Sequence, residues 1–425
     1  MRILFLYPFP LWGNGSGEFL RSLSSQLIER GHQIAIVSPD KRKLQSVKHY
    51  VVNSPQNGVF IGHPEWPKAK KLSEMSGKEL GDVYISYLKT SIDATVSFKP
   101  DIVHAFHTAF LPGVARILRT LYGMKFIITT HGSDVAYFQE DRRLVGLTVD
   151  ANKAAKFITA VSESARKRYI NMFGYNLRRK MKVITGGVTL ADYKRDDEKV
   201  EELNRKYKLH DKKVVLFSGR LTKEKGVSYL VKAAPNIKGT VVILGGGPEK
   251  TALEELIEKN KIKNVIMVGY MRSSHSRLFH AFYQRADVYV NPSVVEEALG
   301  LTILEAMASS TPVVATKKGG VVSVIKEGEN GFFIRARNSK QMAEIVNKVL
   351  FDDALRKKIS LNAKKTIVER FAWEKIAGQF EAVYNKFVYP VTERPVMTGT
   401  DLKGNVPSLT SRFNRILRKT KFPLF

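Results

Sequence analysis

The pattern that most narrows the fold is an alternation that runs once, stops and starts again. Short apolar, β-branched runs are separated by stretches whose apolar residues recur at helical spacing. In the first half ILFLY, QIAIVS, DIVHAF, KFIITTH, FITAVS and KVITGG read as strands. Between the first two, residues 17 to 30 place Phe19, Leu20, Leu23, Leu27 and Ile28 on one helical face, and Gly31 reads as the stop. From Val214 the pattern restarts with VVLFSG, TVVILGG, NVIMVG, DVYVN, PVVAT and GFFIR. Strands alternating with helices predict parallel sheets wrapped by helices. Two such sets, joined across a polar stretch from Asp192 to Lys213, predict an α/β chain of two Rossmann-like parallel-sheet domains facing across a cleft. That cleft is the expected site. With 425 residues the chain is also too long for one ordinary core.

The chain has no cysteine, which excludes disulfides and thiolate-bound metal and permits a reducing compartment. The opening MRILFLYPFPLWGNGSGE ends its apolar run in Pro, Trp and Gly rather than in small residues, so it reads as a buried first strand and not a leader. No run approaches the roughly 18 apolar residues of a membrane span. The expected location is the cytoplasm, with peripheral contact to the inner face of the membrane. A formal charge of +29 calls for an anionic partner: nucleic acid, anionic lipid or a phosphorylated substrate. Two clusters stand out, Arg166 to Arg168 with Arg178, Arg179, Lys180 and Lys182, and the tail SRFNRILRKTKF. The tail can form a basic amphipathic helix with Phe413, Ile416 and Leu417 on one face, suited to a membrane surface or to packing on the body. Solvated lysine-rich surface accounts for most of the remaining charge.

Two stretches carry chemistry. In VVLFSGRLTKEKG a buried strand ends at Ser218-Gly219, and the loop after it offers Arg220 and Lys225. Ligands of open α/β sheets bind beyond the carboxyl ends of strands. A forked guanidinium and a mobile ammonium there suit a diphosphate. The plain alternative is a basic loop on a basic protein. In DVYVNPSVVEEALGLTILEAMA a second strand gives way to a helix that Gly300 opens. The free N–H groups of its first turn, with the helix dipole, suit an anion, and Thr302 offers a hydroxyl beside them. Glu297 lies before that helix and Glu305 one and a half turns inside it. A carboxylate repels a phosphate but grips paired hydroxyls, so the two acids fit sugar rings on opposite sides of a diphosphate. The plain alternative, acids that complement a helix dipole, accounts for Glu296 and Glu297 but not for Glu305.

Taken with GSGEF (15–19), ERGHQIAIVS (29–38), KPDIVHAFH (99–107), THGSDV (130–135), VSES (161–164), GGGPE (245–249), NPS (291–293), PVVATKKGG (312–320), ENGFF (329–333) and the terminal FAWEKIAGQFEAVY, these stretches resemble retaining, family 4 type glycosyltransferases of the two-Rossmann, B-type fold. The resemblance runs along nearly the whole chain. It implies an acceptor-side domain over 1–190, a nucleotide-sugar domain over 191–370, a helix over 371–390 crossing back to the first domain and a basic tail over 391–425. It also implies that Arg220 and Lys225 bind the donor diphosphate with Gly300, Leu301 and Thr302. Glu305 then holds the ribose, Glu297 lies against the transferred sugar, and His131 stands near sugar and leaving phosphate. Gly15 and Gly17 let backbone approach the phosphates or acceptor, and Tyr270 and Met271 border the base. His104 and His107, on the neighbouring strand end, are candidates for the acceptor side.

The implied partners are a UDP- or GDP-linked sugar donor and a glycan or lipid-linked acceptor, with an anionic membrane surface; no cofactor, metal or nucleic acid is expected. The implied reaction moves a hexosyl unit to an acceptor hydroxyl in glycan, glycolipid or polysaccharide synthesis. Three departures from the family pattern appear: Leu299 in place of Phe, Ser323 where a Glu is usual, and no Asn or Asp around Gly187. A nucleotide-sugar epimerase of the same fold and a noncatalytic basic protein binding nucleic acid or lipid stay open as alternatives. Residues 54–80 carry no pattern that names the acceptor.

Overall fold

A computed structural model describes residues 1–54, 69–271 and 276–388. Residues Met1–Phe387 form one contact unit holding two parallel sheets. The first has seven strands: β1 (Arg2–Leu6), β2 (Gln33–Ser38), β3 (Val47–Val51), β4 (Ile102–Phe106), β5 (Phe126–Thr130), β6 (Phe157–Ala160) and β7 (Met181–Val183). The second has six: β8 (Val214–Ser218), β9 (Thr240–Leu244), β10 (Val265–Gly269), β11 (Val288–Asn291), β12 (Val313–Thr316) and β13 (Phe332–Ile334). Their orders are β3-β2-β1-β4-β5-β6-β7 and β10-β9-β8-β11-β12-β13. Each sheet therefore reverses its winding once, between β1 and β4 and between β8 and β11, and such switch points leave a crevice beyond the strand ends.

Every strand expected from the sequence is present. β3 was not expected: its VKHYV carries Lys48 and His49 inside the apolar run, because an edge strand is only partly buried. The first helix, α1 (Gly15–Glu29), starts two residues before the expected start at residue 17. Asn14 caps it by accepting from Gly17 N at 2.8 Å, and Gly31 at φ +81° ends it. The stretch expected as a polar connector contains a helix, residues 197–207, whose Val200 and Leu203 are buried. It starts at Asp196, which accepts from Lys199 N at 3.2 Å.

The chain crosses back at Phe371. Val188 N donates to Phe371 O at 2.9 Å and Trp373 N to Val188 O at 3.3 Å, a short parallel bridge beside Gly187. A Cβ on Gly187 would meet the Phe371 carbonyl oxygen at 2.5 Å, so glycine is what allows the bridge. The last described helix, Trp373–Phe387, then lies on α1: Phe19 meets Trp373 at 5.0 Å and Phe380 at 5.9 Å between ring centres. Arg30 and His32 both reach Glu381, at 3.1 and 2.8 Å. This is the crossing helix that the terminal motif predicts, and it returns the last described residues to the first sheet's side. The basic tail lies outside the described residues, as do 55–68 of the stretch without a readable pattern.

Candidate active site

Both switch points open into one cleft of about 1450 Å³ lined from both sheets. On the second-sheet side, β8 runs out at Ser218 and Gly219 turns at φ +151°, presenting Arg220 to the cleft. Burial lowers the pKa of this guanidinium, against the pull of Glu297 and Glu224, yet an arginine stays charged. Lys225 follows on a single turn and donates to Glu297 Oε1 at 2.7 Å. For Glu297, burial pushes its pKa up, but Lys225, Ser293 and Arg220 outweigh it and hold the carboxyl below the usual range. The two cations and this carboxylate thus form one interacting group that keeps a net positive charge.

Glu297 is fixed by the backbone rather than by chance. Its carbonyl accepts from Gly320 N at 2.7 Å, and its segment pairs with Gly319 in a parallel bridge. Gly300 then turns at φ +86° and starts the helix Leu301–Ala308. Gly300 has no side chain to cap the first turn, so Gly300, Leu301 and Thr302 line the cleft with the positive end of a helix. One and a half turns in, Glu305 lines the same cleft and accepts from Tyr283 Oη at 2.5 Å. Burial raises its carboxyl to about 7, Tyr283 opposing and Glu18 adding to the rise. Tyr270 and Met271, after β10, also line the cleft.

From the first sheet, β5 delivers His131 and β4 delivers His107. Their rings stack at 4.4 Å, 24° from parallel. Both are buried, and burial holds His131 well below the ordinary histidine range and pushes His107 down to about 3. Both rings are neutral near pH 7. Both nitrogens of His107 and Nε2 of His131 lack a protein partner, an arrangement that fits a polar ligand.

Two family models match in tandem, Glycosyltransferase Family 4 over residues 13–192 and Glycosyl transferases group 1 over residues 199–366. The chain belongs to the family 4-type glycosyltransferases. This glycosyltransferase is 27% identical to an uncharacterized glycosyltransferase of Methanocaldococcus jannaschii, over 89% of this chain and 95% of the relative. It is 26% identical to the alpha-maltose-1-phosphate synthase of Mycolicibacterium smegmatis, over 89% of this chain and 97% of that one. Among solved structures, Anabaena HepE in complex with UDP and glucose superposes with a TM-score of 0.72 at 20% identity, covering 91% of this chain and all (100%) of that one. That likeness shows the B-type fold.

Two sequence expectations about the glycosyltransferase need correction. His104 is not on the acceptor side: it is fully buried, with Nδ1 2.8 Å from Tyr384 Oη and Nε2 2.6 Å from Thr129 Oγ1. It sits two residues inside the end of β4, and its ring points into the core against the crossing helix. Gly17 does not line the cleft, because the space a side chain would need is filled by the Leu11 carbonyl. Gly15 does line it, and a Cβ there would meet Leu301 Cδ1 at 3.2 Å, which places α1 against the start of the second-sheet helix.

Sequence reading missed other groups of the glycosyltransferase's cleft. Glu18 in the first turn of α1 and Asp192 face it, and burial raises the Asp192 carboxyl. Arg168 approaches Glu296 at 3.4 Å and Ser164 Oγ donates to the same carboxylate at 3.2 Å, joining the two halves beside Glu297. Tyr283, which does not line the cleft but is buried behind it against Glu305, lay inside an apolar helix face, where nothing in the sequence separates it from core.

Proposed function

We propose that the protein is a retaining, metal-independent hexosyltransferase that takes its sugar from a UDP- or GDP-linked donor. The observation that carries this reading is the placing of Arg220, Lys225 and the start of the Leu301–Ala308 helix in one cleft, with Glu297 and Glu305 as separate acids. Positive charge at the centre suits a diphosphate, and carboxylates to either side suit two rings bearing hydroxyls. In this reading Glu305 accepts from the ribose diol and Glu297 orients the transferred sugar. Lys225 exchanges its bond to Glu297 for one to phosphate when the donor enters. Tyr270 and Met271 border the base.

The bond from the anomeric carbon to the diphosphate oxygen breaks, and the bond to the acceptor oxygen forms on the same face. The acceptor proton passes to the departing phosphate. Arg220, Lys225 and the helix start stabilise the charge that grows there, the task a metal ion performs in other phosphate sites. His131, neutral and carrying an unpartnered Nε2, contributes a hydrogen bond near sugar and phosphate. The acceptor is a glycan or lipid-linked hydroxyl entering past His107. The names of several relatives support such chemistry: one is a capsular polysaccharide biosynthesis glycosyltransferase of Staphylococcus aureus, and HepE has been solved with UDP-glucose.

A thermal-shift screen against UDP-, GDP- and ADP-sugars identifies the donor, and turnover is then measured on that donor. Arg220→Ala and Lys225→Ala should each lower kcat by roughly 100- to 1000-fold with unchanged circular dichroism. Full activity in either variant overturns the assignment.

A further inference from the structure

Tyr283 is buried on the helix Ser276–Arg285, and its hydroxyl joins two groups that the reaction uses separately. It donates to Glu305 Oε2 at 2.5 Å and lies 2.6 Å from Ser218 Oγ. A phenol has a single proton. With that proton directed at Glu305, Ser218 Oγ must donate to the phenol oxygen. A directed chain results, Ser218 to Tyr283 to Glu305. It begins at the last residue of β8, immediately before the Gly219-Arg220 turn, and ends on the acid inside the second-sheet helix.

The phenol cannot drift. Its ring meets Phe279 at 5.5 Å, Tyr289 at 5.6 Å and Tyr193 at 6.4 Å between centres. Its own backbone carbonyl accepts from Thr311 Oγ1 at 2.6 Å. A hydroxyl fixed this firmly fixes whatever it bonds. Glutamate is otherwise a poor grip on a diol, because its side chain has three torsions to immobilise on binding.

We propose that Tyr283 is a positioning residue for the nucleotide's ribose, holding one oxygen of Glu305 in place so that the other meets the diol at little entropic cost. This rests on the reading of Glu305 as the ribose contact. It adds that the diphosphate loop and the ribose acid are held in register by one buried hydrogen-bond chain, so that a donor is recognised as a ribonucleotide at a preset distance from Arg220.

The test compares binding of two probes by calorimetry: the nucleoside diphosphate among UDP, GDP and ADP that gives the largest thermal shift, and its 2′,3′-dideoxy analogue. The unaltered protein should prefer the ribo form at least tenfold. Tyr283→Phe keeps the ring and its packing; it should weaken ribo binding roughly tenfold, the worth of a hydrogen bond to a charged group, and leave dideoxy binding unchanged. In kinetics the same variant should raise donor KM with kcat within about twofold. Ser218→Ala, at the far end of the chain, should shift the ratio in the same direction by less. Equal weakening of both probes by Tyr283→Phe, or no weakening of either, overturns the positioning role. Glu305→Gln separates the two readings. If it retains the ribo preference, the ribose assignment itself fails; if it loses the preference while Tyr283→Phe keeps it, only the positioning inference fails.

Discussion

Glu305 is pulled in opposite directions by its surroundings and its proposed task. Burial raises its carboxyl to about 7, and a diol is best accepted by the ionised form. Below about pH 7 the free site is increasingly protonated, so the donor must meet an acid that has one acceptor oxygen fewer. Donor KM should therefore rise as pH falls through that range, approaching tenfold per unit at the acid end, and Glu305→Gln should give a weak KM that no longer depends on pH. Stability moves the other way. The folded protein holds a proton between the ordinary glutamate value and about 7 that the unfolded chain has released, so Glu305's contribution to stability is lost as pH rises through this window. The cleft histidines and His104 do not mimic the effect: His107 is pushed down to about 3, burial holds His131 and His104 well below the ordinary range, and burial also lowers His280 against the pull of Asp192 and Glu18. Glu18 and Asp192 also face this region, so a Glu18→Gln variant should move the KM midpoint to lower pH by removing a charge that raises Glu305. A KM flat from pH 5.5 to 8 in the unaltered protein would rule out this account.

Elements place these side chains through backbone contacts that only glycine permits. A Cβ on Gly320 would overlap the Ala298 carbonyl, and the Glu297 carbonyl already accepts from Gly320 N at 2.7 Å. The loop after β12 is thus pressed flat against the segment that carries Glu297. Gly320→Ala has to push that segment aside, and a displacement near 1 Å in a positioned acid can cost about 100-fold in turnover. We expect kcat/KM to fall by that order, with a lowered melting temperature. Gly328 is the control: it has φ +69° but nothing within 4 Å of an added Cβ, so Gly328→Ala should cost about 1 kcal/mol of stability and leave kcat unchanged.

At this scale the sequence is most legible where burial is complete. The four inner strands of the second sheet, β8, β9, β11 and β12, show as apolar runs because both of their faces are covered, while the edge strand β10 is as partly buried as β3 and was legible only because its VIMVG carries no charged residue. β3 escaped notice because half of it faces solvent. The helix Gly77–Phe98 could have been placed from its cap: Ser76 and Glu79 bond each other's backbone N–H groups, and S-x-x-E before a helical run is a readable start signal. The roles of Gly320 and Tyr283 could not be read, since a close approach or a hydrogen bond between distant segments leaves no local mark.

Across the whole molecule, excess positive charge and the cleft are in different places. Eight acids and five bases line the cleft, so the surplus behind the +29 lies elsewhere. Part of the first basic cluster is occupied within the fold: Lys180 Nζ donates to the carbonyls of Lys153 and Ala155 at 3.1 and 3.2 Å, Arg166 pairs with Glu163, and Arg168 turns to Glu296. No helix of the described residues is long and apolar enough to cross a membrane. What remains is a surface charge that a nucleotide donor does not use, together with Arg412, Arg415, Arg418, Lys419 and Lys421 in the tail outside the described residues. Each basic group near an anionic bilayer contributes about 1 kcal/mol, and the attraction decays within a Debye length. If the surplus serves an anionic surface, the full chain should sediment with vesicles containing phosphatidylserine or phosphatidylglycerol and not with pure phosphatidylcholine. Replacing those five tail residues with Gln should weaken the partition at least tenfold, and raising salt from 0.1 to 0.5 M should do the same. Saturating the cleft with donor should leave the partition unchanged, because the acids that line it give the donor's phosphates only a local positive centre to neutralise. Equal partition onto neutral and anionic vesicles would show instead that the charge acts in solution, on solubility or on the encounter with an anionic acceptor.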